Sequence, residues 1–163
     1  IGKAMARRAV GFDMRVIYYD PSEIRQDPDV KATSVDFETL LEESDFISLH
    51  TPLTPDTHHL IDSEALSKMK PSAVLVNTSR GPVVDLDALY EALKSKSIFA
   101  AGLDVTEPEP LPPSHPLWTT KNCHITPHTA GGRHDQDEML VRHFLKNLSA
   151  FERGADEFAD RVI

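Results

Sequence analysis

Short, nearly continuous apolar runs recur along the chain and predict its strands. They cover residues 15–20 (RVIYYD), 45–50 (DFISLH), 73–77 (AVLVN), 98–104 (IFAAGLD) and 123–126 (CHIT). Runs of this length without strict polar alternation are typical of strands that are buried on both faces, as in parallel sheets. We therefore expect five strands in the interior of a parallel sheet.

Stretches with helical periodicity separate these runs. We predict helices over residues 2–10, 36–44, 62–70, 86–93 and 135–153. In the fourth stretch Leu86, Leu89 and Leu93 recur at spacings of three and four, which places them on one helical face. Alternating strands and helices predict an α/β protein with a doubly wound, mostly parallel, Rossmann-like sheet. The first three runs are expected to share that one sheet.

Length, charge and cysteine content narrow the classes of function. The chain has 163 residues, enough for one domain with a sizeable core, and a formal net charge of −9. Its scattered basic residues argue against nucleic-acid binding, which needs a basic stripe. No apolar run is long enough for a transmembrane helix, so no membrane partner is expected. The single cysteine, Cys123, fits a reducing compartment, and we expect a cytoplasmic protein.

The first residues fit the end of a dinucleotide-binding fingerprint. That fingerprint is a strand, then G-x-G-x-x-G, then a helix, with an acidic residue about 20 positions later. We interpret Gly2 as the third glycine and Asp20, 18 residues further on, as the acidic residue. Ile1 and Gly2 are thus assigned to the cofactor site. We expect an N-terminally truncated NAD-binding domain over residues 1–163, with its first strand, first two glycines and substrate domain lying upstream.

Asp20 makes NAD the expected cofactor. A carboxylate at the end of the second strand accepts hydrogen bonds from both ribose hydroxyls of NAD and repels the 2′-phosphate of NADP. Arg25 nearby leaves NADP open. Plainer interpretations also stay open, because a single glycine before a helix is common and an aspartate before Pro21 is a frequent turn former.

Three segments that follow apolar runs hold the residues with chemical potential. They are residues 76–84 (VNTSRGPVV), 102–110 (GLDVTEPEP) and 125–132 (ITPHTAGG). In open α/β sheets ligands bind beyond the carboxyl ends of the strands, which is where these segments are predicted to lie.

The order of these segments, NTSRG, then GLDVTEPEP, then TPHTAG, resembles the D-isomer-specific 2-hydroxyacid dehydrogenases. Residues 109–128, with HPLW and KN, are particularly similar to glyoxylate and hydroxypyruvate reductases. The resemblance implies an NAD-dependent oxidoreductase that acts on a small 2-keto or 2-hydroxy acid, with a homodimer as the full-length protein. It also implies catalytic roles for Arg80, Glu109 and His128. Cofactor contacts are implied for Pro52, Thr57, Thr78, Asp104 and His128.

These implied roles match what reduction of a 2-keto acid requires. The planar guanidinium of Arg80 can hold a substrate carboxylate through two parallel hydrogen bonds. His128 can protonate the carbonyl oxygen, and a carboxylate such as Glu109 beside it favours the imidazolium form. The resemblance assigns Asp104 to the nicotinamide carboxamide. Each residue also has a plain structural interpretation, as a surface charge or as a bystander histidine at a strand end.

Other functions are weighed against this one. Ser79, Asp104 and His128 could form a hydrolase triad, but no G-x-S-x-G elbow surrounds a serine. A non-catalytic, NAD-sensing relative of the same family stays open, whereas the formate dehydrogenase branch carries Gln where Glu109 stands. Neither the His58–His59 pair nor Cys123 offers metal-ligand spacing, so no metal site is expected.

Overall fold

The fold is given by a computed structural model that describes residues 1–22, 30–155 and 158–159. It contains five helices within those ranges: α1 (Gly2–Val10), α2 (Phe37–Glu43), α3 (Ser63–Lys68), α4 (Leu86–Ser95) and α5 (Gln136–Glu152). The strands are β1 (Val16–Tyr18), β2 (Ala32–Ser34), β3 (Phe46–Leu49), β4 (Val74–Asn77), β5 (Ala100–Leu103) and β6 (Cys123–Ile125). The chain divides into two compact units, Ile1–Ala130 and Gly131–Ile163.

A four-stranded parallel sheet forms the centre of the first unit. Its strand order is β3-β4-β5-β6, and each neighbouring pair is parallel. Leu75 and Ala101, which pair across β4 and β5, are 0% and 1% exposed. Alternate residues of β3, β4 and β5 are buried, and the residues between them are half-buried in β4 and β5 and exposed in β3. The apolar runs are therefore parallel strands as predicted, but the expected burial on both faces is not met in β3 or β6.

Strands β1 and β2 form a separate, two-stranded parallel sheet. The α/β class with parallel sheets is confirmed, but the prediction that residues 15–20 share one sheet with residues 45–50 and 73–77 is wrong. The strand order of a doubly wound sheet, 3-2-1-4-5-6, puts the first strand between the second and the fourth. If β1 corresponds to the second strand and β3 to the fourth, the first strand belongs between them. None of the described residues lies there, so β1 and β3 are not joined by hydrogen bonds between strands.

Aspartates begin the three helices that cover the larger sheet. Asp36 accepts from Thr39 N at 2.7 Å, Asp62 from Ala65 N at 2.9 Å, and Asp85 from Ala88 N at 3.0 Å. Each carboxylate satisfies an amide that has no partner within its helix. Helices α2, α3 and α4 pack side by side and join the sheet in one apolar core.

Cys123 starts the edge strand β6 and packs against this core. Burial raises the pKa of its thiol to about 11, because a thiolate is poorly solvated in apolar surroundings.

The second unit contains α5. Its N-terminal segment is held by Arg133, whose guanidinium donates to both carboxylate oxygens of Asp135 at 2.8 and 2.9 Å. Large apolar side chains are exposed along the helix: Met139, Leu140, Val141, Phe144, Leu145, Leu148 and Phe151. The predicted helix is thus present, within one residue of the expected bounds. Among the described helices, none combines the length and apolar character needed to cross a bilayer.

Candidate active site

Asn77 organises the turn that presents Arg80. It is the last residue of β4 and is 0% exposed. Its Oδ1 accepts from Ser79 N at 3.0 Å and from Ser79 Oγ at 2.8 Å, and its Nδ2 donates to Arg80 O at 2.9 Å. The buried amide of Asn77 thereby fixes the backbone at Ser79 and Arg80. The Arg80 side chain is exposed, and its Nη1 donates to Ser79 O.

Gly81 brings this turn against the loop that follows β5. A Cβ on Gly81 would lie 1.9 Å from Thr106 O and 3.0 Å from Glu107 N. Both neighbours are backbone atoms, which cannot rotate away as a side chain could. The absence of a side chain at Gly81 is therefore what lets the Arg80 turn and the 104–110 loop touch.

Asp104, directly after β5, ties down the loop that carries His128. It is 5% exposed, and its Oδ1 accepts from Thr126 Oγ1 and from Thr129 N, while its Oδ2 accepts from Ala130 N. Burial alone raises the pKa of Asp104, but the hydrogen bonds from Thr126, Ala130 and Thr129 and the nearby His128 outweigh it. The pKa therefore lies below its ordinary value.

His128 and Glu109 form a close pair. His128 Nδ1 lies 2.7 Å from Glu109 Oε1, within the hydrogen-bond reach that the sequence motifs predict. The backbone of His128 has φ of +55°, in the left-handed region, and its N–H donates to Asp104 O at 2.9 Å. A carboxylate at Nδ1 favours the tautomer with the proton on that nitrogen. Nε2 is then the ring nitrogen that can exchange a proton with a ligand.

The hydrolase triad is not assembled. Ser79 is 8% exposed, and its hydroxyl donates to Asn77 instead of a histidine. Asp104 is engaged by Thr126 and two backbone amides, and His128 is paired with Glu109. The three residues are thus committed to other partners.

Of the residues assigned to the cofactor, Asp20 lies just after β1, and Ile1 and Gly2 lie at the start of α1. Asp20 is exposed, and its Oδ1 accepts from Ser22 N at 2.9 Å. Ile1 is 90% exposed, and Gly2 opens α1. A Cβ on Gly2 would meet the His50 ring at 3.5 Å, an ordinary contact, so this packing does not itself require glycine. Arg25 lies outside the described residues.

The side chain of Thr57 holds the loop after β3 through hydrogen bonds to the loop backbone. Thr57 Oγ1 donates to Pro52 O at 2.7 Å and accepts from Thr54 N at 2.8 Å. Thr57 is therefore occupied in shaping the loop, and Pro52 is exposed. Thr78 is half-buried, directly after β4. At the end of β3, His50 is half-buried, and burial lowers its pKa.

A second cluster of ligand-type side chains lies beside this loop. The donor atoms of His58, His59 and Glu107 all lie within 4.8 Å of one another. We expected no ligand set at His58–His59 because two adjacent histidines alone lack suitable spacing. The third donor comes from Glu107, 48 residues beyond His59, and chain folding brings it there.

The sequence profile of the D-isomer specific 2-hydroxyacid dehydrogenase NAD-binding domain matches residues 1–130. The chain belongs to this family. It is 51% identical over 157 residues to glyoxylate reductase of Korarchaeum cryptofilum (strain OPF8), an alignment that covers 94% of this chain and 47% of that protein. It is 45% identical over 163 residues to glyoxylate/hydroxypyruvate reductase B of Enterobacter agglomerans, covering 96% of this chain and 49% of that protein.

A solved structure agrees with this assignment. D-lactate dehydrogenase with NAD⁺ from Lactobacillus jensenii is 33% identical, with a TM-score of 0.88 over 100% of this chain and 52% of that one. The resemblance drawn from the sequence motifs is confirmed. This dehydrogenase-family chain spans about half the length of the relatives it matches.

The sequence motifs single out Arg80, Glu109 and His128, but not most of the residues that position them. Asn77, Thr106, Thr126 and the obligatory Gly81 were not singled out. A polar residue that closes an otherwise apolar strand, as Asn77 does, is the one signal that pointed to such a role.

Proposed function

We propose that this chain is the nucleotide-binding and acid–base half of an NAD-dependent oxidoreductase. The reaction is reduction of a small 2-keto acid, of the glyoxylate or hydroxypyruvate type, to its D-2-hydroxy acid. The observation that carries the proposal is the 2.7 Å contact between His128 Nδ1 and Glu109 Oε1. Family membership and the named reductases among the relatives support it.

The residues divide the chemistry among them. Arg80, exposed on a turn fixed by Asn77, binds the substrate carboxylate through its guanidinium. Glu109 orients the His128 ring through its contact with Nδ1, so that Nε2 is the nitrogen that carries the proton to the carbonyl oxygen. When bound, a nicotinamide supplies the hydride for C2, and this hydride and the His128 proton together convert C=O to CH–OH.

NAD fits the residues of this chain. Asp20 is an exposed carboxylate two residues beyond β1, with one oxygen held by Ser22 N, which suits acceptance of ribose hydroxyls. Its negative charge supports NAD over NADP. Ile1, Gly2, Pro52, Thr57 and Thr78 are proposed to lie beside the cofactor, and Asp104 to contact the carboxamide with the remaining acceptor capacity of Oδ2.

The rest of the protein is proposed to supply the substrate domain and the missing strand. The interruption between β1 and β3 supports an additional strand at that place, and the half-length matches support a second domain. Exposed apolar side chains on α5 support a homodimer, in which such surfaces are commonly covered. A reducing cytoplasm suits the unpaired thiol of Cys123.

The test is steady-state oxidation of NADH and of NADPH by the full-length protein with glyoxylate and hydroxypyruvate. We expect saturable turnover of at least one of the two acids, faster with NADH. NADH binding without turnover of either acid would contradict the enzyme and favour the NAD-sensing alternative. Tighter binding of NADPH than of NADH would overturn the role of Asp20.

A further inference from the structure

Outside the proposed active site, three segments of the first unit bring imidazole and carboxylate groups together. His59 Nε2 lies 3.2 Å from Glu107 Oε2, and His58 Nε2 lies 3.9 Å from Glu107 Oε1. On the other side of the ring, His59 Nδ1 lies 3.9 Å from Asp85 Oδ2. We name His58, His59 and Glu107 the His–His–Glu cluster.

The backbone around the His–His–Glu cluster is fixed. His59 N donates to Pro82 O at 2.7 Å, and the next two residues lead into a parallel bridge between Ile61 and Val84. Asp85 is held as the N-cap of α4 through its Oδ1, which leaves Oδ2 directed at His59. The amide of Glu107 is part of the backbone packed on Gly81. Two of the three donors thus sit on anchored chain segments.

The side chains have the chemistry of a metal site. Two imidazoles and one carboxylate are the protein ligands of many zinc sites, which leave a fourth position for water. Donors bound to one tetrahedral zinc lie roughly 3.3 Å apart, given metal–ligand distances of about 2.0–2.1 Å. The His59–Glu107 separation already matches that spacing. Asp85 stands where an outer carboxylate would accept from the Nδ1–H of a liganding histidine.

One side chain has to move for all three ligands to engage. The His58 and His59 rings are stacked, with centroids 4.0 Å apart and planes 27° apart. A metal ion lies in the plane of each imidazole that binds it, so two stacked rings cannot share an ion. The His58 side chain is 51% exposed, which makes it the ring that we expect to move, whereas the His59 ring lies between the carboxylates of Asp85 and Glu107.

We propose that the His–His–Glu cluster binds a divalent transition-metal ion, with zinc as the best fit. The ion is held by Nε2 of His58, Nε2 of His59 and the carboxylate of Glu107. Nitrogen donors favour zinc, cobalt or nickel over magnesium and calcium. The bound ion joins the loop after β3 to the loop after β5, which carries Glu109. Its role is therefore structural, since it orders the loop that positions His128.

The experiment is calorimetric titration of the untagged, metal-free protein with zinc chloride, and with magnesium chloride as the hard-cation control. We expect one zinc ion per chain, no saturable magnesium binding, and a higher thermal unfolding midpoint with zinc. His58→Gln and Glu107→Gln should each weaken zinc binding by about 10-fold or more, because loss of an outer partner alone has that effect. His124→Gln, at an exposed histidine of β6, is the matched control and should bind as the parent does.

Folding of the variants is checked by their unfolding curves without zinc. Because both substituted side chains are well exposed, these curves should match that of the parent. Cobalt(II) chloride gives a second measurement, through the visible absorption that changes when imidazole enters the coordination sphere. Absence of saturable zinc binding overturns the proposal. Equal zinc affinity in the parent, His58→Gln and Glu107→Gln overturns it too, because the ion would then be held by other donors.

Discussion

The two ends of the first unit are built differently. At the ends of β4, β5 and β6 the proposed catalytic side chains rest on buried polar anchors, Asn77 and Asp104, which are 0% and 5% exposed. At the end of β1 the carboxylate of Asp20 is exposed, and within the described part of the chain it accepts a local hydrogen bond from Ser22 N. Under the proposed function, His128 has to be oriented before the substrate binds, whereas Asp20 can accept hydrogen bonds from a ribose while it lies on an exposed surface.

The largest expected effect comes from His128→Gln in the full-length protein. A positioned general acid is worth about 10²- to 10⁴-fold in rate, so turnover of glyoxylate with NADH should fall by that factor. NADH binding should change far less than turnover, because Asp20 at the ribose end of the proposed site is untouched. Parallel measurements on His124→Gln should give parental rates. Parental turnover by His128→Gln would remove the acid from the proposed mechanism.

Gly81→Ala should be the most damaging change to folding. Its new methyl group would meet Thr106 O at 1.9 Å, and overpacking against backbone costs about 3 kcal/mol or more. Urea unfolding followed by circular dichroism measures the loss. Gly102→Ala is the matched control, because a Cβ there meets only Val76 Cγ2, at 4.0 Å. Equal losses in the two variants would show that the close approach at Gly81 is relaxed in solution.

Asp104→Asn should reduce stability in a pH-dependent way. The introduced amide leaves backbone donors at Thr129 and Ala130 without a full acceptor set, at a cost of about 1–3 kcal/mol. Because the folded-state pKa of Asp104 is lowered, its contribution is present above the unfolded value of about 3.9 and is lost as pH falls through the folded pKa. Unfolding free energies of parent and variant should therefore converge in acid. A difference that stays constant below pH 4 would count against the ionised carboxylate as the anchor.

The smallest effect on stability is expected from Asp20→Asn. An exposed residue with one local contact should change the free energy of unfolding by less than about 0.5 kcal/mol. In the full-length protein the preference for NAD over NADP should narrow by about 1 kcal/mol, roughly five-fold, because a charge repulsion is removed. Fluorescence titration with both reduced cofactors measures it. A large loss of stability in Asp20→Asn would show that Asp20 anchors the structure as Asn77 and Asp104 do.

Patterns that depend on neighbours in the chain were predictable from the sequence. Five of the six strands among the described residues followed from apolar runs. The Glu109–His128 contact, by contrast, was expected only because the motifs resemble the dehydrogenase family. Strand β2 was missed because its sequence, ATS, is short and polar and gains its structure by pairing with β1. The split into two sheets was missed because hydrogen bonding between strands depends on which strand lies beside which, and the pattern within a single strand does not show this.

Contacts between distant segments were the other limit. Asn77 pairs with groups only two and three residues away, and its place at the end of an apolar strand is a signal of its role, but its complete burial is visible only in the folded chain. Glu107 is 48 residues from His59 in the sequence, and the two meet where the loop after β5 packs on Gly81. Such partners become visible when the backbone path is known.

The partial burial of Cys123 determines how readily its sulfur can be modified. Because burial raises the pKa of the thiol to about 11, a far smaller fraction is ionised at pH 8 than the roughly one in four expected at the ordinary cysteine value. Alkylating reagents attack the thiolate, so Cys123 should be modified more slowly in the folded chain than in the unfolded one. The labelling rate of this sulfur therefore reports on the packing of the edge strand that precedes His128.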